Sequence, residues 1–386
     1  MSKFNVSHIS AGFTVVLVGY TSAIAIVIQA ANAMGANAAQ TQSWLLALGL
    51  AMGFSSIGFS WFYKTPIVTA WSTPGAVLLA GMSFQYDMAL VVGAFMVNGL
   101  LIFATGMIKP LSRAIENIPP VLGTAMLGAI LLPFCLGSFT VVGTMPIAFA
   151  LMFLTFLLAK HFIPKYAMAL LLVVAILLMV YQSDLAFSQL DFSIAKPVWV
   201  TPQLDIMAVL NLAIPLYLVT MLSQNLPGIT VLKTHGYTVP VKPVLQGTGL
   251  VNAVMAPLGG FSLNLAAITA AICMTPEVDS DPKQRYKAAL WAGGFYCLAG
   301  VFATAVVGLF SAMPIEIIKM LAGFALLGTL VTCLHSAFSD ANSRESALLT
   351  FLIVLSGMQF LGLSSVIWGL LIGGGHLWFT CKRNQG

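Results

Sequence analysis

Polar side chains able to bind a solute are few in this chain, and they gather at two places inside apolar sequence. At residues 65–81 the chain reads TPIVTAWSTPGAVLLAG. Residues 67–71 have the β-branched and aromatic character of an extended segment. Ser72 and Thr73 are capping residues, Pro74 suits a first helical position, and residues 76–80 can propagate a helix. Gly259-Gly260-Phe261-Ser262-Leu263-Asn264 repeats that logic: two glycines let the backbone bend or come close, and Asn264 or Ser262 can cap a half-helix running to Cys273. The chemistry that fits is anion binding by main chain. Two half-helix N-termini facing each other offer unpaired N–H donors and a positive dipole end. No Arg or Lys is needed, and none falls in the deep part of an apolar run.

Further polar groups flank these turns. The run SQNLPG at 223–228 puts Gln224 and Asn225 near the end of an apolar segment, where Pro227-Gly228 would kink a helix and free carbonyls. The plainer alternative is a helix stopping at the interface. Gln29 and Asn32 fall at the same depth in the first apolar run, as ligands or as bonds to neighbouring helices. Trp71 and Phe261 supply ring surface beside the turns. Glu316 stands in the first turn of MPIEIIKML with Lys319 three residues on; it favours the helix dipole or, alternatively, carries protons. His335 is likewise a structural histidine or a second proton carrier.

The elements that would position these groups are set by composition. Apolar residues make up 59% and charged residues 7% of 386, against about 25% charged in a soluble domain. The chain is therefore read as an all-α polytopic protein of the lipid bilayer. The net charge of +5 is scattered over loops with no basic stripe, which excludes a nucleic-acid partner. Cys135, Cys273, Cys297, Cys333 and Cys381 form no CxxC pair and read as buried thiols. There is no HExxH, Walker A or GxSxG motif and no close carboxylate pair. That argues against an enzyme, a metal or a cofactor, and for a carrier driven by an ion gradient. The N-terminus reads as a first span without a cleavable signal peptide.

Breaks at Gly, Pro and charge divide the chain into segments 11–31, 43–62, 66–82, 86–108, 118–137, 143–160, 166–181, 204–223, 240–257, 261–275, 286–309, 314–333, 344–361 and 364–380. The third and tenth are short. With both termini cytoplasmic and all fourteen crossing, nearly every Lys and Arg falls on one side, and only Lys196 and Lys319 on the other. An internal repeat supports the count: Tyr86, Ala89, Leu90, Gly93 and Phe95 recur as Tyr286, Ala289, Leu290, Gly293 and Phe295. Pro119 and Gly128 align with Pro314 and Gly323, Gln29 with Gln224, and residues 71–74 with 262–265. Seven segments per half is an odd number, so the halves, 1–200 and 201–386, must be inverted. Inverted repeats with interrupted helices at matching places point to a secondary transporter.

TPIVTAWSTPGA, QNLPG and GGFSLNLAAITAAI resemble the bacterial benzoate membrane transport (BenE) family over essentially the whole chain. The chain is more distantly similar to nucleobase permeases and sulfate carriers of the seven-plus-seven fold. The resemblance implies a core of 11–108 plus 204–309 and a gate of 109–200 plus 310–386, with the substrate between segments 3 and 10. It also implies elevator-like alternating access, proton symport, a bacterial inner-membrane location and a homodimer. On it, Gln29, Trp71, Ser72, Thr73, Gln224, Asn225, Phe261, Ser262 and Asn264 are the expected contacts to a small aromatic anion, with Glu316 and His335 for protons. The acidic residues by which nucleobase permeases grip a base are absent here; Gln224 and Ala266 or Ala267 stand in those places. Carriers of uracil or xanthine, sulfate or bicarbonate are the alternative, with a passive channel or an intramembrane enzyme further off.

Overall fold

The structure is a computed structural model that describes residues 6–82, 86–181 and 191–383. It is mostly helical. In chain order the elements are α1 (Val6–Ala33), α2 (Ala38–Tyr63), β1 (Thr69–Trp71), α3 (Thr73–Ala80), α4 (Met88–Met107), α5 (Lys109–Glu116), α6 (Pro120–Thr140), α7 (Pro146–Phe162) and α8 (Ala167–Tyr181). The second half holds α9 (Ile206–Thr234), α10 (Val241–Met255), β2 (Leu263–Leu265), α11 (Ile268–Ile272), α12 (Tyr286–Val301), α13 (Ala303–Ser311), α14 (Ile315–Phe338), α15 (Arg344–Leu355) and α16 (Ser365–Arg383). Residues 1–5, whose Lys3 is one of the charges read as placing the N-terminus in the cytoplasm, and residues 384–386 lie outside the described residues.

Seven of the described helices are long and apolar enough to cross a membrane, and an eighth if α12 and α13, bent by 60° at Phe302, count as one. The protein is therefore a polytopic membrane protein. Helix or broken helix occupies each expected segment, but α7, α10 and α15 have 17, 15 and 12 residues, short of the roughly 20 of a straight crossing.

Three local expectations are corrected. The eighth segment, read as 204–223, continues to Thr234, so Gln224 and Asn225 lie inside a helix and not at its end. Pro227 does not break it because the turn Met221–Asn225 widens to π geometry just before the proline. The tenth segment turns helical only at Ile268, after Ala267, with no side-chain cap, so neither Asn264 nor Ser262 caps it. Leu263–Leu265 are instead committed to a strand. The expected helix 344–361 stops at Leu355.

Small residues bring two helix pairs into backbone contact. Where α2 packs on α12, a Cβ on Gly49 would lie 2.5 Å from the Gly300 Cα, and one on Gly53 would strike Cys297. Where α4 packs on α10, a Cβ on Gly99 would come within 2.6 Å of the Ala253 nitrogen. Association in lipid relies on such close approach, because apolar burial between helices gains little there. On another side, α6 packs along α14 and against α15.

Candidate binding site

Extended backbone at membrane depth must have its N–H and C=O groups satisfied by protein, and here α2 does it with serines. The Ser60 hydroxyl donates to the Ile67 carbonyl (2.9 Å) and accepts from the Ile67 N–H (3.1 Å). Ser56 accepts from the Thr69 N–H (2.9 Å), and the Thr69 hydroxyl donates to the Met52 carbonyl (3.0 Å) and lies 2.6 Å from Ser55. On its other edge β1 pairs antiparallel with β2, Thr69 opposite Leu265, Ala70 opposite Asn264 and Trp71 opposite Leu263. The Ser72 N–H donates to the Ser262 carbonyl (3.1 Å), and the Ala266 N–H to the Val68 carbonyl (2.9 Å). The local two-fold of this ribbon passes between Ala70 and Asn264.

Ser72 is the N-cap of α3: its Oγ accepts from the Gly75 N–H at 3.1 Å, with Pro74 in the first turn. Thr220 on α9 ties the two turns together. Its hydroxyl donates to the Ser72 Oγ (3.0 Å) and lies 2.9 Å from the Ser262 Oγ, and all three side chains are fully buried. Behind β2, Asn225 accepts from the Leu265 N–H (3.0 Å). The Asn264 amide donates to the Ala70 and Trp71 carbonyls, and its oxygen lies 3.2 Å from the Gln224 side chain. From the far side the Asn98 amide on α4 donates to the Phe261 carbonyl (3.0 Å). Gly228 on α9 is needed for this fit, since a Cβ there would lie 2.6 Å from the Leu265 Cβ.

In front of the ribbon lies a cavity of about 230 Å³, where about 10–15 Å³ is enough for one water. Ala70, Trp71, Thr73 and Pro74 form one wall, Gln224, Ala266, Ala267 and Thr269 another. Gly19 and Ser22 of α1, Tyr296 of α12, and Leu326 and Thr329 of α14 complete it. No charged side chain lines it. The Tyr20 ring packs on Trp71 with centroids 4.7 Å apart, and its buried hydroxyl has no hydrogen-bond partner among the described residues. One turn nearer the start of α1, at Ser10 and Thr14, a wider space of about 710 Å³ takes over, with Lys165 and Glu277 at its edge. That wider space lies toward the end of the bundle that carries the start of α1.

The expected contact residues divide into four groups. Trp71, Thr73 and Gln224 line the cavity. Ser72, Asn225, Ser262 and Asn264 are fully buried behind it in the bonding network. Phe261 faces away, within a cluster with Trp44 and Phe95, their centroids 6.2 and 6.1 Å from its own. Gln29 lines a separate cavity at the far end of α1, with Lys319. Glu316, half-exposed, and His335, exposed, sit near opposite ends of α14 and line none of these cavities. Among the described residues no cluster of His, Cys, Asp and Glu could hold a metal ion, and Cys135, Cys273, Cys297 and Cys333 are free thiols.

The residues that sequence reasoning passed over had signals. Tyr20 and Tyr296 are tyrosines well inside apolar helices, not in the interfacial belts where tyrosine usually sits. Thr220 stands four residues before Gln224, on one face of α9. Ser56 and Ser60 share a face of α2 in the same way.

The benzoate membrane transport protein (BenE) family matches residues 2–378. The chain is 41% identical to the inner membrane protein YdcO of Escherichia coli over 371 residues, 94% of this chain and 93% of that one. It is 36% identical to the benzoate membrane transport protein of Acinetobacter baylyi over 370 residues, covering 96% and 94%. Among solved structures, the transmembrane domain of a cyanobacterial bicarbonate transporter, BicA, superposes with a TM-score of 0.63 at 15% identity, covering 97% and 98%. The murine anion transporter Slc26a9 in an inward-facing state gives 0.64 at 13% identity, covering all of this chain and 69% of that one. These two likenesses concern the fold.

Proposed function

The chain belongs to the benzoate membrane transport (BenE) family, and on that premise we propose that it imports benzoate or a related aromatic monocarboxylate together with a proton. It is a membrane transporter and not an enzyme. The observation that carries the substrate class is the central cavity: an uncharged pocket with Trp71 and Tyr296 in its wall and the N-terminal turn of α3 at its edge. The carboxylate rests near the Thr73 N–H and hydroxyl, where the α3 dipole favours negative charge; Pro74 has no N–H and the Gly75 N–H is already held by Ser72. The ring lies against Trp71 and Tyr296, and the Gln224 amide orients the group. The five-residue α11 adds little dipole, so α3 carries most of the anion's stabilisation.

The reading extends to fourteen crossings in a seven-plus-seven inverted repeat, with both termini cytoplasmic. Its support is the exchange of packing partners: α2 on α12 and α4 on α10 are the two pairs that a two-fold between halves would interconvert. Residues 11–108 and 204–309 then form a core that slides against a gate of 109–200 and 310–386. The cavity between α1, β1 and α11 on one side and α6 and α14 on the other supports that division. A wide space of about 710 Å³ at the N-terminal end of α1, read as the cytoplasmic end, supports an inward-open conformation. The membrane is the bacterial inner membrane, in line with the E. coli relative's printed name, and a homodimer is the proposed assembly. No cofactor is required; proton symport cancels the anion's charge, which otherwise opposes entry by about 2.3 kcal/mol per 100 mV. Glu316 and His335, at opposite ends of α14, are the candidate carriers.

Uptake of radiolabelled benzoate into membrane vesicles tests this. An imposed inward proton gradient is expected to raise accumulation, and unlabelled benzoate to compete where uracil, sulfate and bicarbonate do not. Competition by bicarbonate or sulfate alone would replace the substrate, and indifference to the gradient would remove the coupling.

A further inference from the structure

A second cavity of about 230 Å³ lies toward the C-terminal end of α1, and its lining differs in kind from that of the central one. It is bounded by Gln29 of α1, Gly81 after α3, Pro133 and Phe134 of α6, and Lys319 and Ala322 of α14. The Gln29 Nε2 group is buried and donates to no group among the described residues. A buried donor without a partner is costly, and this one lines the same cavity as the Lys319 ammonium. Lys319 forms no ion pair among the described residues. Glu316, one turn earlier on α14, is half-exposed and does not line the cavity. Phe134 and Pro133 provide an apolar face beside the two donors.

This cavity and the central one are neighbours along the same helices. Leu131 on α6 and Ala325 on α14 line the central cavity, while Phe134 and Ala322, about one turn further along each, line this one. Both spaces therefore lie on the same seam between α6 and α14. A cation near the start of a helix gains nothing from the dipole, and Glu316, three residues earlier, is the acidic neighbour of the exposed Lys319 on its own helix face.

We propose that Gln29 and Lys319 form an outer capture site for the transported aromatic monocarboxylate, occupied before the anion reaches the central cavity. The proposal rests on the substrate reading above. Lys319 and the Gln29 amide hold the carboxylate, and the ring lies on Phe134. Because the gate carries Lys319 and the core carries Gln29, closure of the outer side brings the two donors together, and sliding of the core separates them and releases the anion inward.

The test uses right-side-out and inside-out membrane vesicles containing the full chain, with radiolabelled benzoate as the probe. In Lys319→Gln the KM measured from the outer face is expected to rise about tenfold at low salt, the order of one lost charge-assisted hydrogen bond. The KM from the inner face is expected to stay within about twofold, which also shows that the variant is folded. Lys319→Arg should recover most of the outer KM, and Gln29→Ala should raise it less than Lys319→Gln does. Added salt should raise the wild-type outer KM more than that of Lys319→Gln. An unchanged outer KM in Lys319→Gln, or equal changes at both faces, overturns the capture site while leaving the substrate reading standing. Wild-type vesicles that take up no benzoate at either face overturn both.

Discussion

The two interrupted segments occupy matching places in the chain yet are stabilised by different means. In the first, Ser72 caps an eight-residue helix through its own side chain, and the extended stretch before it is satisfied by serines of α2. In the second, no side chain caps the five-residue α11. Its strand is held from outside, by Asn225 on the Leu265 N–H and by Asn264 reaching across to the Ala70 and Trp71 carbonyls. Its far end is fixed by Arg285, which donates to the Met274 carbonyl (2.7 Å) and the Asp279 carbonyl (2.8 Å). The first break thus depends mainly on local sequence, and the second on groups remote in the chain. The first half presents a capped helix terminus, and the second half a pinned strand against which that terminus is set.

Removing a remote support should therefore do the most damage. Asn225→Leu leaves the buried Leu265 N–H without an acceptor; thermal unfolding of the purified protein should register a loss of about 1–3 kcal/mol, and uptake should fall in parallel. A variant as stable as wild type would show that β2 holds itself. Ser72→Ala should cost about 1 kcal/mol through the lost cap and should also raise the KM for transport. Ser262→Ala loses only a hydroxyl contact to Thr220, since its carbonyl still accepts from Ser72; a smaller stability loss and little change in KM are expected. Equal KM effects from the two would remove the asymmetry drawn here.

The smallest effect concerns pH. In the loop after α11 the Asp279 carboxyl is held below the usual carboxylate range, first by the Asp281 N–H and then by His8, 2.9 Å away. A carboxyl depressed in the folded state stabilises above its unfolded value, about 3.9, and that contribution is lost only as pH falls through the folded value. Between pH 5 and 8 this carboxyl should therefore add no pH dependence to stability. Asp279→Asn should lower the melting temperature modestly at neutral pH and converge with wild type in acid. Divergence that grows toward acid pH would reverse the sign and refute the assignment.

Much of the first break was legible because its cause lies within four residues: a capping serine, a proline and a helix-forming run. The second misled for the opposite reason. Asn264 looks like a cap in sequence, but strand pairing with residues almost two hundred positions away recruits its side chain across the ribbon. Asn225 was legible as a polar group at depth, yet its place inside a continuous α9 was not, because a π turn ahead of Pro227 lets the helix continue past a residue that ordinarily ends one.

Composition, the spacing of apolar runs and the Ser72-Thr73-Pro74 turn were enough to specify a polytopic membrane protein with a helix beginning inside it. These are properties of short windows, governed by transfer into lipid and by local hydrogen bonding. Which polar side chains face the cavity was decided only when α1, α6, α9, α12 and α14 packed around the ribbon. Helix rotation and the register of β1 on β2 determine whether a given Thr, Gln or Tyr points at open space or into the wall, and neither is encoded within one segment.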